Sequence, residues 1–450
     1  MERLFGTDGI RGQANCYPIT AEVALQVGKA IGHVYQATGH GSRRAVIGKD
    51  TRLSGYMLET ALTSGLVSMG MDVLLVGPVP TPAVAHLTRS MAADVGLMLT
   101  ASHNPSDDNG VKIFGSDGFK ISDDVENEIT RHVSSGELTS DHIRSDQLGK
   151  AYRIDDARGR YIEFAKSTIK NQDLGGMKVV LDCANGAAYQ MAPLIFKELG
   201  AKVTKSFVEP DGYNINNGCG ALHPETVAKV VAEQKADVGI AFDGDADRVI
   251  FCCEHGSVVD GDRILAMCAI DFKARRQLVN DTLVVTTMTN LGLHEAMRRH
   301  SIRVDVTDVG DRQVIDRMRR TGLNVGGEKS GHVIFMDYAT TGDGIITALQ
   351  VLKLMKQQKV SLSELANCMT EYPQKLVSLK VRERKPLDTL PNLVRTMDHC
   401  TQALGADGRM VVRYSGTEEK IRLLVEARTD EVVNRWIGEL TGAVKKDLGA

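Results

Sequence analysis

Long apolar runs, an excess of one charge sign and paired cysteines are all missing from this sequence, and each absence removes a class of function. No segment reaches the roughly 18 consecutive apolar residues that a membrane span requires. Even the stretch from Val73 to Leu87 is interrupted by Pro78, Pro80 and Pro82. The opening residues MERLFGTDGIRG hold no basic region followed by an apolar one, so no targeting leader is expected. Lys and Arg total 54 against 57 Asp and Glu, a net charge of -3. Bulk electrostatics therefore favour neither a nucleic acid nor a membrane surface as partner. The eight cysteines, at 16, 183, 219, 252, 253, 268, 368 and 400, form no C-x-x-C pair. That pattern excludes a disulfide scaffold and fits reduced thiols in a cytoplasmic protein.

Aromatic residues are few, at 5 % with a single tryptophan, while 42 % of the chain is hydrophobic and 25 % charged, the balance of a soluble globular protein. Glycine is the one excess, at 44 of 450 residues, near 10 % against a usual ~7 %. By length alone the chain makes about three domains at roughly 150 residues each.

Self-similarity raises that number to four. Apolar runs at Arg44 to Asp50, Lys178 to Asp182 and Thr282 to Thr287 each precede a helical pattern, at Tyr56 to Met69, Ala187 to Leu199 and Leu291 to His300. A second strand follows each, opening GMDV at 70, GAKV at 200 and SIRV at 301. Strand, helix, strand is the parallel crossover unit. A third strand begins with the same four residues, Ala-Asp-Val-Gly, at 93 and at 236, and its counterpart is the GLNVGGEKSGH stretch from Gly322. Polar or Gly-rich loops follow all three, at the carboxyl ends of strands, where α/β sheets bind ligands. From about Tyr372 the pattern changes to strands at Lys375 to Val381, Arg409 to Tyr414 and Lys420 to Ala427, with helices at Leu387 to Leu404 and Glu431 to Leu448. The expected organisation is three related α/β domains with mixed, mainly parallel sheets, at 1–153, 154–255 and 256–371, and a C-terminal α+β domain at 372–450. The polar stretch from Ser140 to Asp156 separates the first unit from the second, and Pro373 marks a hinge.

Each loop carries its own chemistry. Asp243, Asp245 and Asp247 alternate with small residues, and an oxygen-only donor set selects a hard divalent cation, Mg2+ before Zn2+. A calcium loop counted from Asp243 would place Glu254 at its last position, but Arg248 occupies the required Gly site and Val249 to Cys253 reads as a strand, not as the start of a helix. An aspartyl-phosphate phosphatase would also use Asp-x-Asp, without need of the third aspartate. In Thr100-Ala101-Ser102-His103-Asn104-Pro105 the adjacent Ser102 and His103 are expected to point apart, which disfavours a Ser-His dyad. A hydroxyl without a base suits a phosphoryl group that a metal partly neutralises. Glu328, Ser330 and His332 offer groups for sugar hydroxyls and proton transfer. Arg413 to Glu418, with Arg422 after it, makes a metal-free phosphate cradle.

Taken together, FGTDGIRG at 5 to 12, TASHNP at 100 to 105 with Asn109, Gly110 and Lys112 after it, DGDADR at 243 to 248, GGEKSGH at 326 to 332 and RYSGTE at 413 to 418 resemble the α-D-phosphohexomutases over the whole length. FGTDGIRG and RYSGTE favour the branch that acts on glucosamine phosphates. The resemblance implies four domains around one active-site cleft and the interconversion of glucosamine 6-phosphate and glucosamine 1-phosphate through a 1,6-bisphosphate, supplying UDP-N-acetylglucosamine synthesis for the cell envelope. It implies that Ser102 carries the phosphate and that one Mg2+ is held by that phosphate with Asp243, Asp245 and Asp247. Lys112 and His332 match positions of the general base or acid, and Arg11 and Arg248 match phosphate-side basic residues. Glu328 and Ser330 match the sugar-recognition pair; Arg413, Ser415, Gly416, Thr417 and Arg422 match the distal phosphate site. A hexose or hexosamine 1,6-bisphosphate is the expected activator and a phosphosugar the expected substrate, with no nucleic-acid or membrane partner, and a cytoplasmic homodimer is the expected assembly. Two readings stay open beside this one: specificity for glucose or mannose phosphates, and a Mg2+-dependent sugar phosphatase. Lys329, where Gln or Met is common, and Gln313, where an aromatic is frequent, bear on substrate preference.

Overall fold

The structure is a computed structural model that describes residues 4–6, 8–37, 41–139, 143–170, 172–405, 407–414 and 419–449. Three of its sheets follow one plan. In the first, Arg44–Lys49 lies between the parallel strands Asp72–Pro78 and Val95–Leu99, and Asp108–Gly115 runs antiparallel beyond the latter. In the second, Lys178–Asp182 lies between Lys202–Ser206 and Val238–Phe242, with Val249–Cys253 antiparallel. In the third, Thr282–Thr286 lies between Arg303–Thr307 and Val325–Gly327, with Val333–Phe335 antiparallel. The shared spatial order is fourth, third, first, second strand. Val95–Leu99, Val238–Phe242 and Thr282–Thr286 are buried at every residue. Their unbroken apolar runs suit parallel strands covered on both faces.

The reversal after each third strand is the feature that builds the site. The sequence showed Val249–Cys253 as a strand but not Asp108–Gly115, which opens on the turn residues Asp108-Asn109-Gly110, nor the three-residue Val333–Phe335. These return strands fold the TASHNP, DGDADR and GGEKSGH loops into hairpin bends at the carboxyl ends of their sheets. Ile10–Gln13 adds to the first sheet beside Asp108–Gly115, and Ala151–Arg153, within the stretch read as a separator, adds beside Asp72–Pro78. Helices Ala21–Ala37 and Ser54–Ser68 cross closely below this sheet because glycines meet there. A Cβ on Gly28 would lie 2.6 Å from the Leu62 carbonyl oxygen, and one on Gly65 would lie 2.4 Å from that of Leu25.

The chain divides into two units, Met1–Met288 with Ser301–Cys368, and Thr289–His300 with Met369–Ala450. The second has an antiparallel sheet with Lys420–Ala427 between Gln374–Lys380 and Gly408–Tyr414. Helices Pro391–Leu404 and Asp430–Leu448 bury Leu393, Leu404, Trp436, Ile437 and Leu440 in its core. The helix expected from Leu387 begins only at Pro391, because proline is pre-organised for the first helical position and disfavours helix at the residue before it; Leu387–Thr389 is a single 3-10 turn. Helix Leu291–Arg299, the first crossover of the third repeat, belongs to this unit: Leu291 N–H donates to Glu426 Oε1 at 2.6 Å and Tyr372 Oη to Glu295 Oε2 at 2.9 Å. Among the described residues no helix is long and apolar enough to cross a membrane.

Candidate active site

Ser102 is buried, and its backbone is left-handed at φ 53°. Its N–H donates to Thr100 Oγ1 at 2.8 Å, and its Oγ donates to Asp243 Oδ2 at 2.8 Å. The first two hairpin loops therefore meet at this hydroxyl. Contrary to the expectation that neighbouring side chains diverge, the left-handed turn brings His103 Nδ1 to 3.3 Å from Ser102 Oγ. That nitrogen also faces Arg248 Nη1 at 3.2 Å. Burial, with Arg248 and Arg11 nearby, lowers the His103 pKa to about 4. A neutral imidazole already accepting from a guanidinium leaves no dyad of the acyl-transfer kind.

Asp243, Asp245 and Asp247 point carboxylate oxygens inward within 4.8 Å of one another, and all three are buried. Burial and the neighbouring Asp247 and Asp245 charges raise the Asp243 carboxyl well above its usual range, against Arg248 and the Ser102 hydroxyl. Burial works the same way on Asp247, but Lys112, His332 and Arg248 outweigh it and hold that carboxyl well below the usual range. Lys112 Nζ sits 2.8 Å from both Asp245 Oδ2 and Asp247 Oδ2 and 3.4 Å from Asp8 Oδ2. Its burial is overcome by these three carboxylates, which hold it as an ammonium. Thr81, opening helix Thr81–Ser90, gives its hydroxyl to Asp245 Oδ2 at 2.5 Å and its N–H to the Asp245 carbonyl at 2.9 Å. The donor set fits a hard divalent cation: Oδ1 of Asp245 and Oδ1 of Asp247 are buried without a hydrogen-bond donor, and every ligand atom that the triad offers is a carboxylate oxygen. The loop is backed by Gly186, where a Cβ would lie 2.2 Å from the Gly244 carbonyl oxygen.

The third loop joins the second where Val249 N–H donates to the Gly331 carbonyl at 3.1 Å. His332 is buried; its Nε2 accepts the Gly342 N–H at 3.1 Å, and its Nδ1 faces Asp247 Oδ1 at 3.7 Å. Glu328 Oε1 accepts the Gly310 N–H at 3.0 Å, and Ser330 is exposed. Lys329 turns toward Asp260, 3.5 Å away. A cavity of about 470 Å³ is lined by Asp8, Arg11, Arg248, Asp311, Gln313 and Glu328, among others. It is of the size that holds a small ligand. Nε of Arg11 and Nε of Arg248 are buried with no acceptor.

In the second unit, Arg413 and Arg422 sit directly opposite each other on antiparallel strands. Their side chains share one face of that sheet. Ser415, Gly416 and Thr417 lie outside the described residues.

Sequence reasoning passed over several groups that these loops depend on. Asp8 lay within FGTDGIRG, and here it pairs with Arg11 and Lys120; Lys120 also bonds Asp311, so one ammonium joins the first and third repeats. No pattern in the sequence marked Lys120, because an isolated lysine has the same local signature whether solvated or buried.

The chain matches, in order, the phosphoglucomutase/phosphomannomutase alpha/beta/alpha domain I over residues 2–140, domain II over 159–256, domain III over 260–372 and C-terminal domain over 376–443. It is 50 % identical over 450 residues to the phosphoglucosamine mutase of Pelobacter propionicus, covering 100 % of this chain and 99 % of that one. Among solved structures it is similar to a phosphoglucomutase/phosphomannomutase family protein from Burkholderia thailandensis, with a TM-score of 0.81 and 26 % identity over 99 % of this chain and 98 % of the other. It shares its fold with the N-acetylphosphoglucosamine mutase of Aspergillus fumigatus solved with GlcNAc-6P and magnesium, at a TM-score of 0.67 and 18 % identity over 99 % of this chain and 96 % of that one. Matched across all four domains, and identical at half its positions to an enzyme of its own length, the chain belongs to the phosphoglucomutase/phosphomannomutase family, within its phosphoglucosamine mutase branch.

Proposed function

We propose that this mutase interconverts glucosamine 6-phosphate and glucosamine 1-phosphate, with Ser102 as the phosphoryl carrier. The observation that carries this reading is the Ser102 hydroxyl, 2.8 Å from Asp243 at the edge of a buried triad of aspartates. Phosphorylated Ser102 gives its phosphoryl group to the free hydroxyl of the bound sugar phosphate, leaving a 1,6-bisphosphate and a serine hydroxyl. The bisphosphate turns end for end, and its other phosphate returns to Ser102 Oγ. Mg2+, held by Asp243, Asp245, Asp247 and the Ser102 phosphate, would neutralise phosphoryl charge during transfer.

The remaining roles belong to the chain's own residues. Arg11 and Arg248, each with a buried Nε by the cavity that makes no hydrogen bond, bind the phosphate nearest the reaction. Glu328 and Ser330 orient the sugar. Lys112 and His332 are assigned as the acid–base pair; Lys112, firmly protonated among three carboxylates, acts as donor or as fixed positive charge beside the transferring oxygen. Arg413 and Arg422, with the 415–417 turn, hold the distal phosphate on the strength of family resemblance. The domain limits 1–153, 154–255, 256–371 and 372–450, the 1,6-bisphosphate activator, a homodimer and a cytoplasmic location belong to the same proposal.

The test is turnover of purified protein with Mg2+ and a trace of hexose 1,6-bisphosphate on glucosamine, glucose and mannose 6-phosphates side by side. Isomer formed fastest from glucosamine 6-phosphate is the expected result. Faster turnover of glucose or mannose phosphate would move the chain to the sibling specificity, and free phosphate in place of isomer would make it a phosphatase. Ser102→Ala is expected to abolish turnover while the protein stays folded, with its stability lowered only by the lost hydrogen bond to Asp243, about 1 kcal/mol; full isomerisation by that variant would end the carrier role.

A further inference from the structure

The loop that carries Ser102 is gripped by two side chains outside the reacting groups. Arg52 is completely buried, and its Nη2 donates to the Ser102 carbonyl at 3.0 Å and to the Asn104 carbonyl at 2.8 Å. Its Nη1 donates to the Asp108 carbonyl at 2.9 Å and to that of Pro105, and its Nε pairs with Asp50 Oδ2 at 2.8 Å. Asn216, from the second repeat, sends its Nδ2 to the same two carbonyls, Ser102 at 2.9 Å and Asn104 at 3.0 Å. Each carbonyl therefore accepts from both side chains.

The other flank of Ser102 is tied into the same assembly. Thr100 Oγ1, which accepts the Ser102 N–H, donates to Asp50 Oδ2 at 2.7 Å, and Asp50 Oδ1 accepts the Arg52 N–H at 2.9 Å. This grip explains how a serine keeps φ 53°, a conformation that costs a non-glycine residue roughly 1 kcal/mol or more. Released from it, the loop has an incentive to relax to negative φ. The Oγ vector toward Asp243 would turn away with it, because that vector is set by the Ser102 backbone.

We infer that Arg52 and Asn216 are positioning residues that clamp the peptide carrying the phosphoryl group, fixing its hydroxyl in line with the aspartate triad and locking the first repeat's loop onto the second repeat. The clamp rests on Ser102 being the phosphoryl carrier.

Two variants separate positioning from plain stability. Asn216→Gly removes the shared donor yet tolerates the left-handed backbone of that residue, φ 58°. Arg52→Lys keeps the charge and removes the planar fork. Steady-state kinetics, melting curves and the phosphate content of Ser102 by intact mass are followed for each. The expected result for Asn216→Gly is a kcat lowered roughly tenfold to a hundredfold per folded molecule, a KM within about twofold of wild type, and faster loss of phosphate from Ser102 on standing. Arg52→Lys is expected to do the same, and Arg52→Ala to regain part of its kcat with added guanidinium. The double variant Arg52→Lys, Asn216→Gly should lose less than the product of the single losses, since both side chains serve the same carbonyls. Wild-type kcat per folded Asn216→Gly molecule would overturn the clamp, as would losses that only track the unfolded fraction. Ser102→Ala reports on the carrier role separately: retained turnover there would remove the reading beneath the clamp, whereas loss there with unaffected clamp variants would overturn the clamp alone.

Discussion

Lys112 shows at the scale of one residue why the site holds together before any ligand arrives. Its ammonium faces Asp8, Asp245 and Asp247, and removing it would leave the two buried carboxylates of Asp245 and Asp247, and the half-buried one of Asp8, with much less compensation. Breaking such a set on one side costs about 3–5 kcal/mol, so Lys112→Met is expected to lower the denaturant midpoint strongly as well as abolish turnover. Asp243 makes the opposite case. Burial and two neighbouring aspartates make its charge unfavourable in the metal-free protein. Asp243→Asn should therefore melt no lower than wild type without metal, while losing the Mg2+-dependent rise in melting temperature, which at a hundredfold excess over Kd reflects about 2.7 kcal/mol. A metal-induced rise in that variant equal to wild type would show that Asp243 is not a ligand. The three aspartates were legible in the sequence because their spacing is local and their chemistry is restricted to oxygen donors. Their electrostatic inequality was not legible, because it depends on which carboxylate faces Lys112 and which faces Ser102.

Elements explain how far pattern reading could go. The three crossover units were visible because apolar runs and helical periods recur in the same order, down to Ala-Asp-Val-Gly at 93 and 236. Two of the three return strands escaped notice, one opening on turn residues and the other only three residues long. Without them the loops read as strand-to-helix connections, when they are hairpin bends. Helix packing carries a test at this scale. The crossing of Ala21–Ala37 with Ser54–Ser68 leaves no room for a methyl group, since a Cβ on Gly65 would lie 2.4 Å from the Leu25 carbonyl oxygen and 2.9 Å from Lys29 N. Gly65→Ala should cost roughly 1–3 kcal/mol by overpacking, read as a shift in urea midpoint at unchanged m value. Its kcat per folded molecule should stay near wild type, because neither helix lines the site.

For the whole molecule, the loss of one helix from the third repeat to the second unit matters more than a boundary drawn along the chain. Helix Leu291–Arg299 is bonded to Glu426 and Tyr372, and Arg409 reaches the Thr289 carbonyl beside it. A fragment ending at Cys368 would strip these partners away. We expect it to melt below the full chain and to lose protection from hydrogen exchange first in 289–300; equal protection there in fragment and full chain would show that the helix needs none of those partners.

The amino-acid sequence by itself determined the chemical inventory and its order: a hydroxyl loop, an oxygen-rich loop, a sugar-type loop and a basic turn, each behind an apolar strand, in a chain whose near-zero net charge hides local opposites. Those features follow from short-range spacing and side-chain chemistry. Only the tertiary structure decided that Lys112 would neutralise carboxylates 133 and 135 residues away, that Lys120 would join Asp8 to Asp311, and that Ser102 would be held left-handed by Arg52 and Asn216. Such pairings depend on strand order and on how neighbouring sheets meet, and periodicity along a chain does not encode them in any one residue's surroundings.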